Sequence, residues 1–68
     1  MGDKRQWLID MREQRRLKQK EAAFCISISP SYLGKIENGL RRPTVEVAQL
    51  IASFYCFDWN RFFPPIND

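Results

Sequence analysis

From Asp3 to about Arg16 the chain has no Gly or Pro, and Lys4, Leu8, Met11 and Arg15 recur at intervals of three or four with Trp7 beside them. That period predicts an amphipathic helix over residues 4–16. The run from Gln19 to Ile26 starts with good helix formers and ends at Ser27, a plausible turn, which predicts a second helix of about two turns. Ser29 followed by Pro30 is a strong start signal, because a serine oxygen caps free amides and proline suits the first helical position. A third helix is expected over 30–37, stopped at Asn38-Gly39, where glycine takes the left-handed conformation without steric cost. Thr44 caps a fourth helix over 45–55, apolar around most of its circumference, and Asp58 caps a last short turn over 59–63 that Pro64-Pro65 ends. No strand pattern, repeat or low-complexity segment interrupts this all-α reading.

Sixty-eight residues make one domain, here 1–68, and the 44% of apolar residues is enough to build a small core rather than a disordered chain. No apolar run approaches the ~20 residues of a membrane span, and no signal peptide opens the chain, so a cytoplasmic protein with no membrane partner is expected. Histidine is absent and Cys25 and Cys56 lie far apart, so no metal or cofactor motif is present. Both thiols sit in apolar segments and read as free, buried small hydrophobes, with a disulfide between them as the alternative. Without a phosphate loop, paired carboxylates or a nucleophile-base pair, nothing points to an enzyme.

The charge is uneven. Between Arg12 and Arg42 lie eight basic residues (Arg12, Arg15, Arg16, Lys18, Lys20, Lys35, Arg41 and Arg42) against Glu13, Glu21 and Glu37. A solvated basic face or a polyanion site would both give this bias. Two short helices joined by Ser27-Ile28-Ser29, the second well capped and led by small polar residues, fit a helix-turn-helix whose second helix enters the DNA major groove.

Here the chain resembles the Cro and phage-repressor type, or XRE family, of bacterial and phage DNA-binding domains. The resemblance is carried by Leu17-Lys18-Gln19-Lys20-Glu21-Ala22-Ala23, by Ser29-Pro30-Ser31-Tyr32-Leu33-Gly34-Lys35-Ile36-Glu37-Asn38-Gly39, and by Arg42-Pro43-Thr44. It runs without gaps from about Leu8 to Phe63. It implies a compact five-helix lambda-repressor-like domain, with double-stranded DNA as the partner and no cofactor.

The resemblance implies that Pro30, Ser31, Tyr32 and Lys35 face the bases. Lys35 is suited to guanine O6 and N7, and Ser31 to either donor or acceptor. Tyr32 has partial core packing as its alternative. It further implies that Gln19 meets a phosphate at a helix N-terminus, where free amides favour an anion, and that Asn38, Gly39, Arg41 and Arg42 form a phosphate-binding loop. Lys18 and Lys20 could reach a phosphate or simply raise the local potential. Glu37, out of place in a polyanion site, is implied to pair with Arg12 as a structural bridge. The expected core is Leu8, Met11, Leu17, Ala22, Ala23, Ile26, Ile28, Leu33, Ile36, Val45, Ala48, Ile51, Ala52 and Trp59.

Three residues depart from the family pattern. Lys18 stands where a Ser or Thr cap is usual, Ser27 where the turn commonly has Gly, and Arg16 where Gly often ends the first helix, so a looser turn is expected there. Gly34 inside helix 3 suggests close approach to DNA or to helix 2. Phe54, Phe57, Phe62, Phe63 and Ile66 are more apolar than a small core readily hides, and in this architecture such a cluster makes a two-fold dimer interface; completing the monomer's core is the alternative. The leading reading is a homodimeric, operator-binding transcription regulator, a repressor that excludes or contacts RNA polymerase. The alternative is a protein-interaction module, such as an antitoxin or accessory subunit, using the aromatic C-terminal surface.

Overall fold

The computed structural model describes residues 4–63, and Ile66 lies outside them. The described residues are helical without strands: α1 (Gln6–Gln14), α2 (Gln19–Ile26), α3 (Pro30–Glu37), α4 (Val45–Tyr55) and a single 3₁₀ turn at Trp59–Phe62. The expected fifth helix is therefore one tight turn, started by Asp58, whose carboxylate accepts from the Asn60 backbone N–H at 2.9 Å. No helix among the described residues is long and apolar enough to cross a membrane.

α1 is shorter at both ends than its periodicity predicts, and the backbone shows why. Arg5 has φ −85° and ψ 73°, outside the helical region, and Arg16 has φ 55°, the left-handed conformation that stops the helix. The turn after α1 is closed rather than loose: the Arg16 N–H donates to Glu13 O at 2.9 Å and the Leu17 N–H to Arg12 O at 3.3 Å. This pair of bonds is the Schellman motif. α2 repeats it at Ser27 (φ 72°), with Ile28 N–H donating to Ala23 O at 3.0 Å, and α3 repeats it at Gly39 (φ 75°), with Leu40 N–H donating to Lys35 O at 2.8 Å. α4 ends at Cys56 (φ 63°), with Phe57 N–H donating to Ala52 O at 3.0 Å. Of the four left-handed residues only Gly39 lacks a Cβ, so three helix ends carry steric strain of about 1 kcal/mol or more each.

The N-termini are capped by side chains. Ser29 Oγ accepts from Tyr32 N–H at 3.1 Å and Thr44 Oγ1 from Val47 N–H at 3.2 Å. At α2 a lysine ammonium cannot accept a hydrogen bond, so Lys18 caps nothing with its side chain. Glu21 instead reaches back and accepts from the Lys18 backbone N–H at 2.7 Å, the acidic half of a capping box.

The main core joins Leu8, Ile26, Ile36, Ala48, Ile51, Tyr55 and Phe62, and a smaller one joins Ala22, Ala23 and Leu33 between α2 and α3. Met11, Leu17, Ile28 and Trp59 flank these clusters as half-buried residues. Val45, expected inside, is 50% exposed: it shares a face with Ala48 but stands at the first position of α4, where that face is still open to solvent. Ile9, Pro43 and Tyr55 are buried without having been expected, and Phe62 takes the place in the core that was the alternative for its cluster. Both cysteines are free, and neither is buried: Cys25 and Cys56 are exposed.

Candidate nucleic-acid interface

α2 and α3 pack through Ala22, Ala23 and Leu33, the two alanines letting the short helices approach closely across the Ser27-Ile28-Ser29 turn while Leu33 fills the space between them. With Leu33, Ile36 and Glu37 turned inward, the opposite side of α3 carries Ser31 and Lys35, both exposed, while Pro30, also exposed, stands at the first position of the helix on the Leu33 side. Tyr32 is half-buried and packs against the main core, so it stands at the edge of that face. The Ser29 cap and Pro30 fix where α3 begins and hence which residues form its outward first turn.

Beneath this face lies a polar junction at the meeting of three helices. Glu37 is fully buried, and its carboxylate accepts from Arg12 Nε at 2.8 Å, Arg12 Nη2 at 3.3 Å and Gln19 Nε2 at 2.9 Å. Arg12 Nη1 donates to Leu17 O at 3.0 Å. The carboxylate thus ties the end of α3 to α1 and to the start of α2. Its hydrogen bond raises the Arg12 pKa against the opposing effect of burial. Gln19 therefore turns its amide inward to Glu37. Its placement also accounts for Gly34: a Cβ there would lie 3.2 Å from Gln19 Oε1, so the glycine makes room for an α2 side chain.

Tyr55 closes the junction from α4. Its hydroxyl is buried with no hydrogen-bond partner among the described residues. Burial, and then the Glu37 carboxylate, push the phenol up from 10.0 to about 12. Arg15 covers the ring, 5.1 Å from its centroid, and donates to Tyr55 O at 3.1 Å.

Around this neutralised centre the remaining cations face outward. Lys18 and Lys20 at the start of α2, Lys35 on α3 and Arg41 and Arg42 in the following loop are exposed, and none forms an ion pair among the described residues. Asn38 is exposed and Gly39 half-buried in the turn that starts the loop. Arg42 lies over the Phe63 ring at 5.8 Å. Gln19, Lys20, Pro30, Ser31, Lys35, Arg41 and Arg42 thus belong to α2, α3 and the loop after α3, with Lys18 just before α2. Among the described residues no group of three potential ligands is placed to hold a metal ion.

The aromatic C-terminal cluster turns mostly inward. Phe62 is 4% exposed and so offers no side chain to a second copy, which corrects its expected place in a dimer interface. Phe57 meets Trp7 edge to face at 5.2 Å and Phe62 at 5.6 Å, and Phe54 and Phe63 are half-buried against the same core. The residues left outside are different ones: Phe24 is 85% exposed, Leu40 65% and Leu50 49%. Phe24 stands at the rim of an apolar groove with Leu17, Cys25, Ile28 and Pro30, and the helical period places it there: with Ala22, Ala23 and Ile26 inward, it falls on the far side of α2.

Comparison with known proteins agrees with this geometry. A helix-turn-helix family model matches residues 8–55. A relative described as an uncharacterized HTH-type transcriptional regulator, YqaF of Bacillus subtilis (strain 168), is 37% identical over 62 residues, covering 91% of this chain and 82% of that protein. No solved structure matches the chain.

Proposed function

The chain belongs to the helix-turn-helix family of DNA-binding transcription regulators rather than to an enzyme family, and from that premise we propose that it is a sequence-specific repressor binding a palindromic operator as a homodimer. The observation that carries the proposal is the outward face of α3. Small polar residues and one lysine stand there, on a helix whose opposite side is locked to α1 and α2 through buried Glu37. Lys35 and Ser31 read base edges, with Pro30 and Tyr32 against thymine methyls or the backbone. Arg41, Arg42 and the Asn38-Gly39 turn hold phosphates, helped by Lys18 and Lys20, and Gln19 contributes through the start of α2. Residues 1–68 act as one bacterial or phage domain in the cytoplasm, and repression follows from occupying the operator in competition with RNA polymerase.

The second copy docks on α4. Val47, Leu50 and Phe54 recur at three and four residues and form one stripe, in which Leu50 is 49% exposed and the other two are half-buried. A two-fold contact through such a stripe is self-complementary and sets two α3 helices about one DNA turn, ~34 Å, apart. Sedimentation across micromolar concentrations, with and without duplex, tests this. A dimer that Leu50→Lys converts to a monomer supports it. A wild-type chain that stays monomeric on DNA as well as off it refutes the homodimer.

A further inference from the structure

The residue just before α1 reaches the far end of α3. The Arg5 backbone N–H donates to Glu37 O at 2.7 Å, and its guanidinium Nη1 donates to Ile36 O at 2.6 Å and to Arg41 O at 3.2 Å. The same guanidinium lies 5.6 Å from the centroid of the Phe62 ring. One side chain therefore joins the last turn of α3, the 3₁₀ turn and the loop that carries Arg41 and Arg42. The α3 end suits it, since the final carbonyls of a helix lack intrahelical donors and carry partial negative charge. The loop's own amides bond back to α3, Leu40 and Arg41 both donating to Lys35 O. Among the described residues, Arg5 supplies the hydrogen bond that reaches this loop from outside α3. Burial and then the neighbouring Arg42 lower the Arg5 pKa. The loop is thus held by a cation that the Arg42 charge disfavours.

We infer that Arg5 is a positioning residue for DNA binding: it holds the Arg41-Arg42 segment in the form that meets phosphates without touching them itself. The inference rests on the DNA-binding reading above, and its test separates the two. Arg5→Gln is compared with Arg15→Gln, which removes an arginine that also donates to a backbone carbonyl but lies away from the loop. In the free protein, exchange of the Leu40 and Arg41 amides is expected to quicken about tenfold in Arg5→Gln and to stay unchanged in Arg15→Gln. A loop in its competent form a tenth of the time lowers apparent affinity about tenfold, so binding to a fixed duplex falls by that factor. The salt slope stays as in wild type, because no phosphate contact is lost, whereas losing one flattens it by about 0.9. Arg5→Lys, which keeps the charge but ends one bond short of the Nη1 position from which both hydrogen bonds are made, is expected to show a similar loss. A slope that falls by about 0.9, unchanged loop exchange, an equal affinity loss in Arg15→Gln, or full rescue by lysine would each overturn the positioning role. A wild-type chain that binds no duplex overturns the DNA-binding reading itself, and amide exchange still decides whether Arg5 holds the loop.

Discussion

Replacing Glu37 by glutamine keeps the shape of the junction and removes its charge. Glu37 is fully buried and accepts three hydrogen bonds, two of them from the Arg12 guanidinium. An amide offers one oxygen. If that oxygen keeps Gln19 and Arg12 Nη2, the new NH₂ group faces Arg12 Nε, donor against donor, and the guanidinium has lost its counter-ion. Removing one partner of a buried pair costs about 3–5 kcal/mol. The Arg12 side chain is 13% exposed, which lets water take up part of its charge and places the cost near the low end, about 3 kcal/mol. For a domain of this size that corresponds to a fall in Tm of about 15 °C, and it removes a large share of a total stability of about 3–10 kcal/mol. Thermal denaturation followed by circular dichroism reads it directly. The double variant Arg12→Met/Glu37→Met should recover part of the loss, though not all, because Leu17 O and the Gln19 amide lose partners too. A Glu37→Gln protein within about 0.5 kcal/mol of wild type would refute the view that this carboxylate locks three helices together.

Three further outcomes follow from the same geometry. The Tyr55 phenol is raised to about 12, so the folded state keeps a proton that the unfolded state releases near pH 10, and stability should fall between about pH 10 and 12. Tyr55→Phe should remove that alkaline dependence in urea titrations and, since the hydroxyl has no partner, cost no stability at neutral pH. Ser27→Gly should raise stability by about 0.5–1 kcal/mol by relieving a left-handed residue, and a destabilised variant would contradict the strain argument. Lys35→Ala should relax base preference by about 1–3 kcal/mol, whereas Arg42→Ala should weaken binding to all duplexes alike and reduce the salt slope by about one unit. Equal losses for Lys35→Ala on cognate and random duplexes would exclude it as a base reader.

The helix limits were legible where chemistry marks them. Ser29-Pro30, Asn38-Gly39 and Thr44 bracket α3 and the start of α4 because each satisfies or forbids a particular backbone group. The ends of α1 were not legible, since the helical period continues through Lys4 and Arg15 while Arg5 and Arg16 leave helical geometry. The Schellman ends did leave a trace: Leu17, Ile28, Leu40 and Phe57, the residues just past the left-handed ones, are all apolar. Side-chain direction was the least legible part. Nothing local in the sequence shows that Gln19 turns inward to Glu37, that Arg5 crosses to the end of α3, or that Phe62 rather than Val45 lies in the core. These choices are made by tertiary neighbours more than thirty residues away in two of the cases.

Selection of binding sites from a pool of randomised duplexes with the purified chain shows whether α3 and its following loop read operator DNA. Enrichment of a palindrome with half-sites about 10–10.5 base pairs apart is expected, lost or broadened in Lys35→Ala. Binding that retains every sequence equally, or no retention of duplex at low salt, would contradict it.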